Sequence, residues 1–99
     1  MTINKKNENG KLILVLEGRL DTTTAPQLQD ALIPLLDEIK QIELDFKQLS
    51  YISSAGLRAL LTGQKKAESM GVSMTLTGVS EEIKHIFEMT GFDSILTIV

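Results

Sequence analysis

Two hydroxyls stand side by side at Ser53 and Ser54, followed by Ala55 and Gly56, and this is the stretch of the 99-residue chain best suited to chemistry. It falls where a strand-derived loop meets the apolar helical spacing of Leu57, Leu60 and Leu61. The first backbone N–H groups of a helix are unsatisfied and carry about half a positive charge, so they favour a hydroxyl oxygen or a phosphate. As a purely local feature, Ser53 or Ser54 is an N-cap worth about 1 kcal/mol, and Gly56 permits close packing. A nucleotide P-loop needs a second glycine and a lysine that reaches the phosphates, and the stretch lacks both. A serine hydrolase needs a nucleophile on a strained elbow, a His base and an orienting acid. Ser54, His85 and Asp21 or Asp45 supply the residue types, yet no Gly-x-Ser-x-Gly occurs and His85 lies mid-helix between Lys84 and Ile86. As a metal ligand His85 lacks a second His or Cys, and Glu81, Glu82 and Glu88 suit solvated i, i+3 and i, i+4 pairing with it.

The remaining inventory narrows the chemistry further. There is no Cys and a single His, which removes disulfides, thiol chemistry and Cys-based zinc sites. Ten Lys and Arg against thirteen Asp and Glu leave a net charge of -3 spread along the chain, with no electrostatic footprint for nucleic acid or acidic lipid. The apolar stretch from Leu12 to Leu16 is far short of the roughly 20 residues that span a bilayer, so no membrane insertion and a cytoplasmic location are expected. With 42% hydrophobic and 23% charged residues, the composition is that of one globular domain over residues 1–99.

The elements that must position these residues follow from period and punctuation. Residues 11–16 are rich in Leu, Ile and Val and follow Asn9-Gly10, the strongest short hairpin signal, so residues 2–7 and 11–16 are predicted as an antiparallel pair with a polar edge strand first. The Asp-Thr-Thr-Thr run from Asp21 caps a helix carrying Ala25, Leu28, Leu32, Leu35, Leu36 and Ile39. Pro34 inside that pattern predicts a bend near residues 30–34 or a late break. Residues 42–46 alternate as a strand, Leu57 to Met70 continue as a helix ended by Gly71, and residues 72–77 alternate again. Glu81 and Glu82 open a last helix whose apolar face is Ile83, Ile86 and Phe87, closed by Gly91, and residues 94–99 read as a final strand or a strand-like tail. The order is β-β-α-β-α-β-α-β: an α/β domain with a mixed sheet of about five strands and three to four helices. Sites in such sheets are built where strands hand over to helices, here residues 21–25, 47–56 and 78–82.

The run Asp45-Phe46-Lys47-Gln48-Leu49-Ser50-Tyr51-Ile52-Ser53-Ser54-Ala55-Gly56-Leu57-Arg58 resembles the core motif of STAS domains, specifically bacterial anti-sigma factor antagonists. Gly18-Arg19-Leu20-Asp21 followed by Ala25 is similar to that family's Gly-x-x-Asp element, and Ile86-Phe87-Glu88-Met89-Thr90-Gly91-Phe92 to its Leu-Phe-x-x-Thr-Gly-Leu element. The resemblance covers essentially the whole chain, carried by three spaced elements in the right order.

The resemblance implies a non-enzymatic regulator that works by partner switching. Unphosphorylated, it would bind an anti-sigma factor, a serine kinase of the histidine-kinase-like ATPase type. Phosphorylation of the motif serine would break that complex, and a PP2C-type phosphatase would restore it. A monomer without cofactor is implied, with Asp21, Thr22, Ser53, Ser54, Ala55, Gly56 and Arg58 as the partner surface. The family places Asp before a pair of hydroxyls, whereas this chain has Ser53 followed by Ser54-Ala55. If the first of the pair accepts phosphate, Ser54 is the acceptor, with Ser53 the weaker candidate; if the second does, Ala55 leaves the protein permanently able to bind. The alternative within the resemblance is a STAS subunit of another complex, such as a lipid-transport ABC system or a sensory assembly.

Overall fold

A computed structural model describes all residues from Met1 to Val99. The chain forms β1 (Thr2–Glu8), β2 (Lys11–Leu20), α1 (Ala25–Leu35), β3 (Gln41–Ile52), α2 (Ser54–Ser69), β4 (Ser73–Thr77) and α3 (Glu81–Thr90), followed by a 3₁₀ turn over Phe92–Ser94. The four strands lie in the order β1-β2-β3-β4, antiparallel between β1 and β2 and parallel thereafter. The Asn-Gly turn closes the hairpin as expected, with Glu8 opposite Lys11. No helix is long and apolar enough to cross a membrane.

One face of the sheet carries the core. Leu12, Leu14 and Leu16 of β2 and Ile42, Leu44 and Phe46 of β3 join Leu28 and Leu32 of α1, Leu57 and Leu60 of α2 and Phe87 of α3 in a single apolar cluster. The two-residue period sends Ile13 and Val15 to the opposite face, outside that cluster. There Glu43 of β3 binds Lys11 of β2 at 2.8 Å and accepts from the Thr77 hydroxyl of β4 at 2.8 Å, tying three strands together. The Lys11 hydrogen bond is the main reason its carboxyl is held below the usual range.

Three expectations are corrected. The third strand runs on to Ile52, past the expected end at residue 46, so most of the anticipated loop over residues 47–56 is sheet. β3 spends three residues, Asp45 to Gln48, where β2 spends two, Val15 to Glu17. It then spends two, Leu49 to Tyr51, where β2 spends one, Gly18 to Arg19. Each surplus residue is a bulge, and together they turn Phe46, Leu49 and Ile52 inward at intervals of three, which hides the two-residue period. Gly18 takes φ +108 at the second irregularity, a value L side chains avoid, and β2 thereby continues to Leu20, past its expected end at residue 16.

The fifth strand is not formed. After Gly91 the chain tightens into the 3₁₀ turn, Leu96 drops into the core, and the residues left over make one parallel bridge, Ile98 to Leu76. Two hydrogen bonds hold it, Leu76 N–H to Thr97 O and Val99 N–H to Leu76 O, both at 2.9 Å. In α1 the late break is the outcome: Pro34 sits in the last turn, the helix stops at Leu35, and Ile39 lies beyond it.

Candidate functional site

Because β2 and β3 are parallel, their C-terminal ends lie together, and so do the segments that leave them. Leu20 is paired with Ile52 in the last rung, and the next residues are Asp21 on one side and Ser53 on the other. A single carbonyl joins the two segments: Leu20 O accepts the Ser53 N–H at 2.9 Å. The same carbonyl forms the floor on which α2 begins. A Cβ on Gly56 would lie 2.8 Å from it, 2.8 Å from Leu20 Cγ and 3.0 Å from Ile52 Cγ1. Only glycine lets the first turn of α2 approach the sheet this closely.

Adjacent serines have different duties here. Ser53 is the N-cap, with extended backbone at φ -102 and ψ 175, and its Oγ accepts the Gly56 N–H at 3.3 Å while its carbonyl accepts from Leu57 N–H at 2.9 Å. Its side chain is half-buried and occupied. Ser54 is the first helical residue, exposed, and its hydroxyl has no hydrogen-bond partner in the protein. Ala55 turns inward and packs against the core cluster. Arg58, one turn beyond Ser54, is exposed and has no carboxylate within ion-pair distance.

On the β2 side Asp21 is the hub of an Asx turn. Its Oδ1 accepts from Thr23 N–H at 3.0 Å, the Thr23 hydroxyl at 2.8 Å and Thr24 N–H at 3.2 Å, and Thr24 Oγ1 accepts the Asp21 N–H at 2.8 Å. The Thr23 hydroxyl is the main cause of a carboxyl held below its usual range, with partial desolvation opposing it, so Asp21 is an anion throughout the neutral range. Thr22 is exposed at the tip of this turn.

The structure therefore brings Asp21, Thr22, Ser53, Ser54, Ala55 and Gly56 to one end of the sheet, with Arg58 on the helix that starts there. It leaves the third segment, residues 78–82, elsewhere, because β4 ends at Thr77 opposite Asp45 while β3 continues to Ile52. His85 is on the solvent side of α3 with its Nδ1 3.8 Å from Glu88, and Asp21 is committed to Thr23 and Thr24, so Ser54 has neither a base nor an acid aligned on it.

Two site residues escape sequence reasoning. Arg19 and Tyr51 are partners across the β2–β3 pairing, and the Arg19 guanidinium stacks over the Tyr51 ring at 4.2 Å while Arg19 Nε lies 3.7 Å from Asp21 Oδ2. Tyr51 remains 41% exposed, a large apolar surface beside the serine segment. The signal was alternation around Leu20 and Ile52, visible only once both strands are known to run that far.

The STAS domain model matches residues 2–99. The anti-sigma-B factor antagonist of Bacillus subtilis is 32% identical over 101 aligned residues, covering 99% of this chain and 92% of the relative. Among solved structures, an anti-sigma factor antagonist from Mycobacterium paratuberculosis superposes with TM-score 0.88 at 19% identity, over 98% of this chain and 83% of that one. The Bacillus cell fate determinant SpoIIAA in its phosphorylated form superposes with TM-score 0.75 at 17% identity, over 99% and 91%.

Proposed function

The chain belongs to the STAS domain family, in its anti-sigma factor antagonist group, and on that premise we propose that it is a partner-switching regulator in which the Ser54 hydroxyl is the switch. Its unphosphorylated surface around Asp21, Thr22 and the start of α2 binds an anti-sigma factor that is itself a serine kinase of the histidine-kinase-like ATPase type. Transfer of a phosphoryl group to Ser54 Oγ adds a charge of about -1.5 to -2 in the middle of that interface, and the complex separates. A PP2C-type phosphatase resets it.

One observation carries the choice of residue: of the two serines, only Ser54 has an exposed hydroxyl with no structural task. A kinase taking Ser53 Oγ would have to strip the N-cap from α2. The first-turn position also explains why modification can act on the complex and spare the fold, since a negative charge there is favoured by the helix dipole.

The test is affinity capture from cells of the source organism with the Ser54→Ala protein as bait. A kinase-type anti-sigma factor is expected among the retained proteins and is expected to be released by ATP from wild type but not from Ser54→Ala. Retention of a permease or transport ATPase in its place would overturn the proposal in favour of a STAS subunit of a transport complex.

A further inference from the structure

The net charge of -3 conceals a polar division between the helices. The only charged residue of α1 is Asp30, and α3 carries Glu81, Glu82 and Glu88 against Lys84. The charged residues of α2 are Arg58, Lys65, Lys66 and Glu68, and all four are exposed. Glu68 is engaged by Gln64, whose Nε2 donates to its Oε1 at 3.1 Å. None of the three cations has a carboxylate within ion-pair distance; the ion pairs of the chain lie elsewhere, on β2, β3 and α3. At about 100° per residue, Ser54, Arg58 and Lys65 fall within roughly 40° of one another around the helix axis, a line about 16 Å long. The candidate switch thus stands at the head of a line of two unpaired cations, Arg58 and Lys65.

We propose that the solvent face of α2, from Ser54 through Arg58 to Lys65, is a docking surface for an acidic face of the anti-sigma factor. The argument is charge complementarity. Unpaired cations in a row on an otherwise acidic protein attract an acidic partner, orient it along α2 and raise its rate of encounter. The inference rests on the partner-switching reading and adds the chemistry of the partner to it: a phosphate on Ser54 sits at the head of that line, meets the same acidic face, and has Arg58 one turn away as a competing counter-ion. Side chains on a helix lean toward its N-terminus, and an acid four residues before a base is the favourable order for such a pair.

The experiment uses Lys65→Glu, about three turns from Ser54 and exposed, with Glu81→Lys on α3 as the control of opposite sign. Binding of each full-length protein to the anti-sigma factor retained in the capture experiment is followed by stopped-flow and titration at two salt concentrations. The association rate of Lys65→Glu is expected to fall about tenfold at low salt, with the difference shrinking as salt is raised, while Glu81→Lys binds as wild type does. Lys65→Gln should fall between wild type and Lys65→Glu, and thermal melts confirm that each variant is folded. Wild-type rates for Lys65→Glu, alongside a tight wild-type complex, would overturn this inference and leave the partner-switching reading standing. If wild type retains no anti-sigma factor, both fall.

Discussion

Ser54→Glu is expected to bind the anti-sigma factor about 100-fold more weakly than wild type while melting at the same temperature or slightly higher. The two halves of this result have different physical origins. An acid placed in the centre of an interface that faces an acidic partner meets like charge and loses solvent, a combination worth about 2–3 kcal/mol. Within the isolated protein the same acid occupies the first turn of α2, where the helix dipole stabilises it by about 0.3–1 kcal/mol, and Arg58 stands one turn away. Ser54→Gln has nearly the same shape without the charge and should retain most of the affinity. Titration calorimetry and thermal melts check both halves. A loss of affinity equal in Ser54→Gln and Ser54→Glu would mean that bulk, not charge, is what the partner rejects.

The second large effect belongs to Gly56→Ala. Leu20 O, the acceptor of the Ser53 N–H, would lie 2.8 Å from the added Cβ, and a backbone carbonyl held by that bond at the last β2–β3 rung cannot rotate away as a side-chain tip can. Overpacking of this kind costs about 2 kcal/mol, or about 10 °C in melting temperature for a domain of this size. If α2 shifts to relieve the clash, Ser54 moves relative to Asp21 and the partner surface loses its register, so the folded fraction should also bind more weakly. Ser54→Ala, at an exposed position two residues earlier, is expected to leave the melting temperature nearly unchanged. Equal melting temperatures for Gly56→Ala and wild type would show that the first turn of α2 is not seated on Leu20 as described.

How far these features can be seen in the bare sequence depends on whether local chemistry or a tertiary contact decides them. The hairpin at Asn9-Gly10, the helix end at Gly91 and the capping role at the Ser53-Ser54 pair are local, and the structure places them where turn and cap chemistry put them. The length of β3 is not local. Leu49 and Ile52 fit neither a period of two nor one of 3.6, because the two surplus residues that turn them inward are defined only against β2. Residues 94–99 are rich in Ile, Leu, Val and Thr as a strand is, yet the turn over Phe92–Ser94 and the burial of Leu96 leave too little chain to make more than one bridge. The same limit applies within the site. Which of two neighbouring serines caps and which is free depends on a difference of one residue in where α2 starts, and the Arg19–Tyr51 pair depends on a register set by bulges.

Ser54 as the phosphoryl acceptor is the claim on which the rest depends, and residue-level mapping tests it most directly. The purified protein is incubated with the captured anti-sigma factor and MgATP, digested, and sequenced by tandem mass spectrometry. A single phosphate on Ser54, absent from Ser54→Ala and undiminished in Ser53→Ala provided that variant is folded, is the result expected. Phosphate on Ser53, or none on either serine while the complex forms, would contradict it.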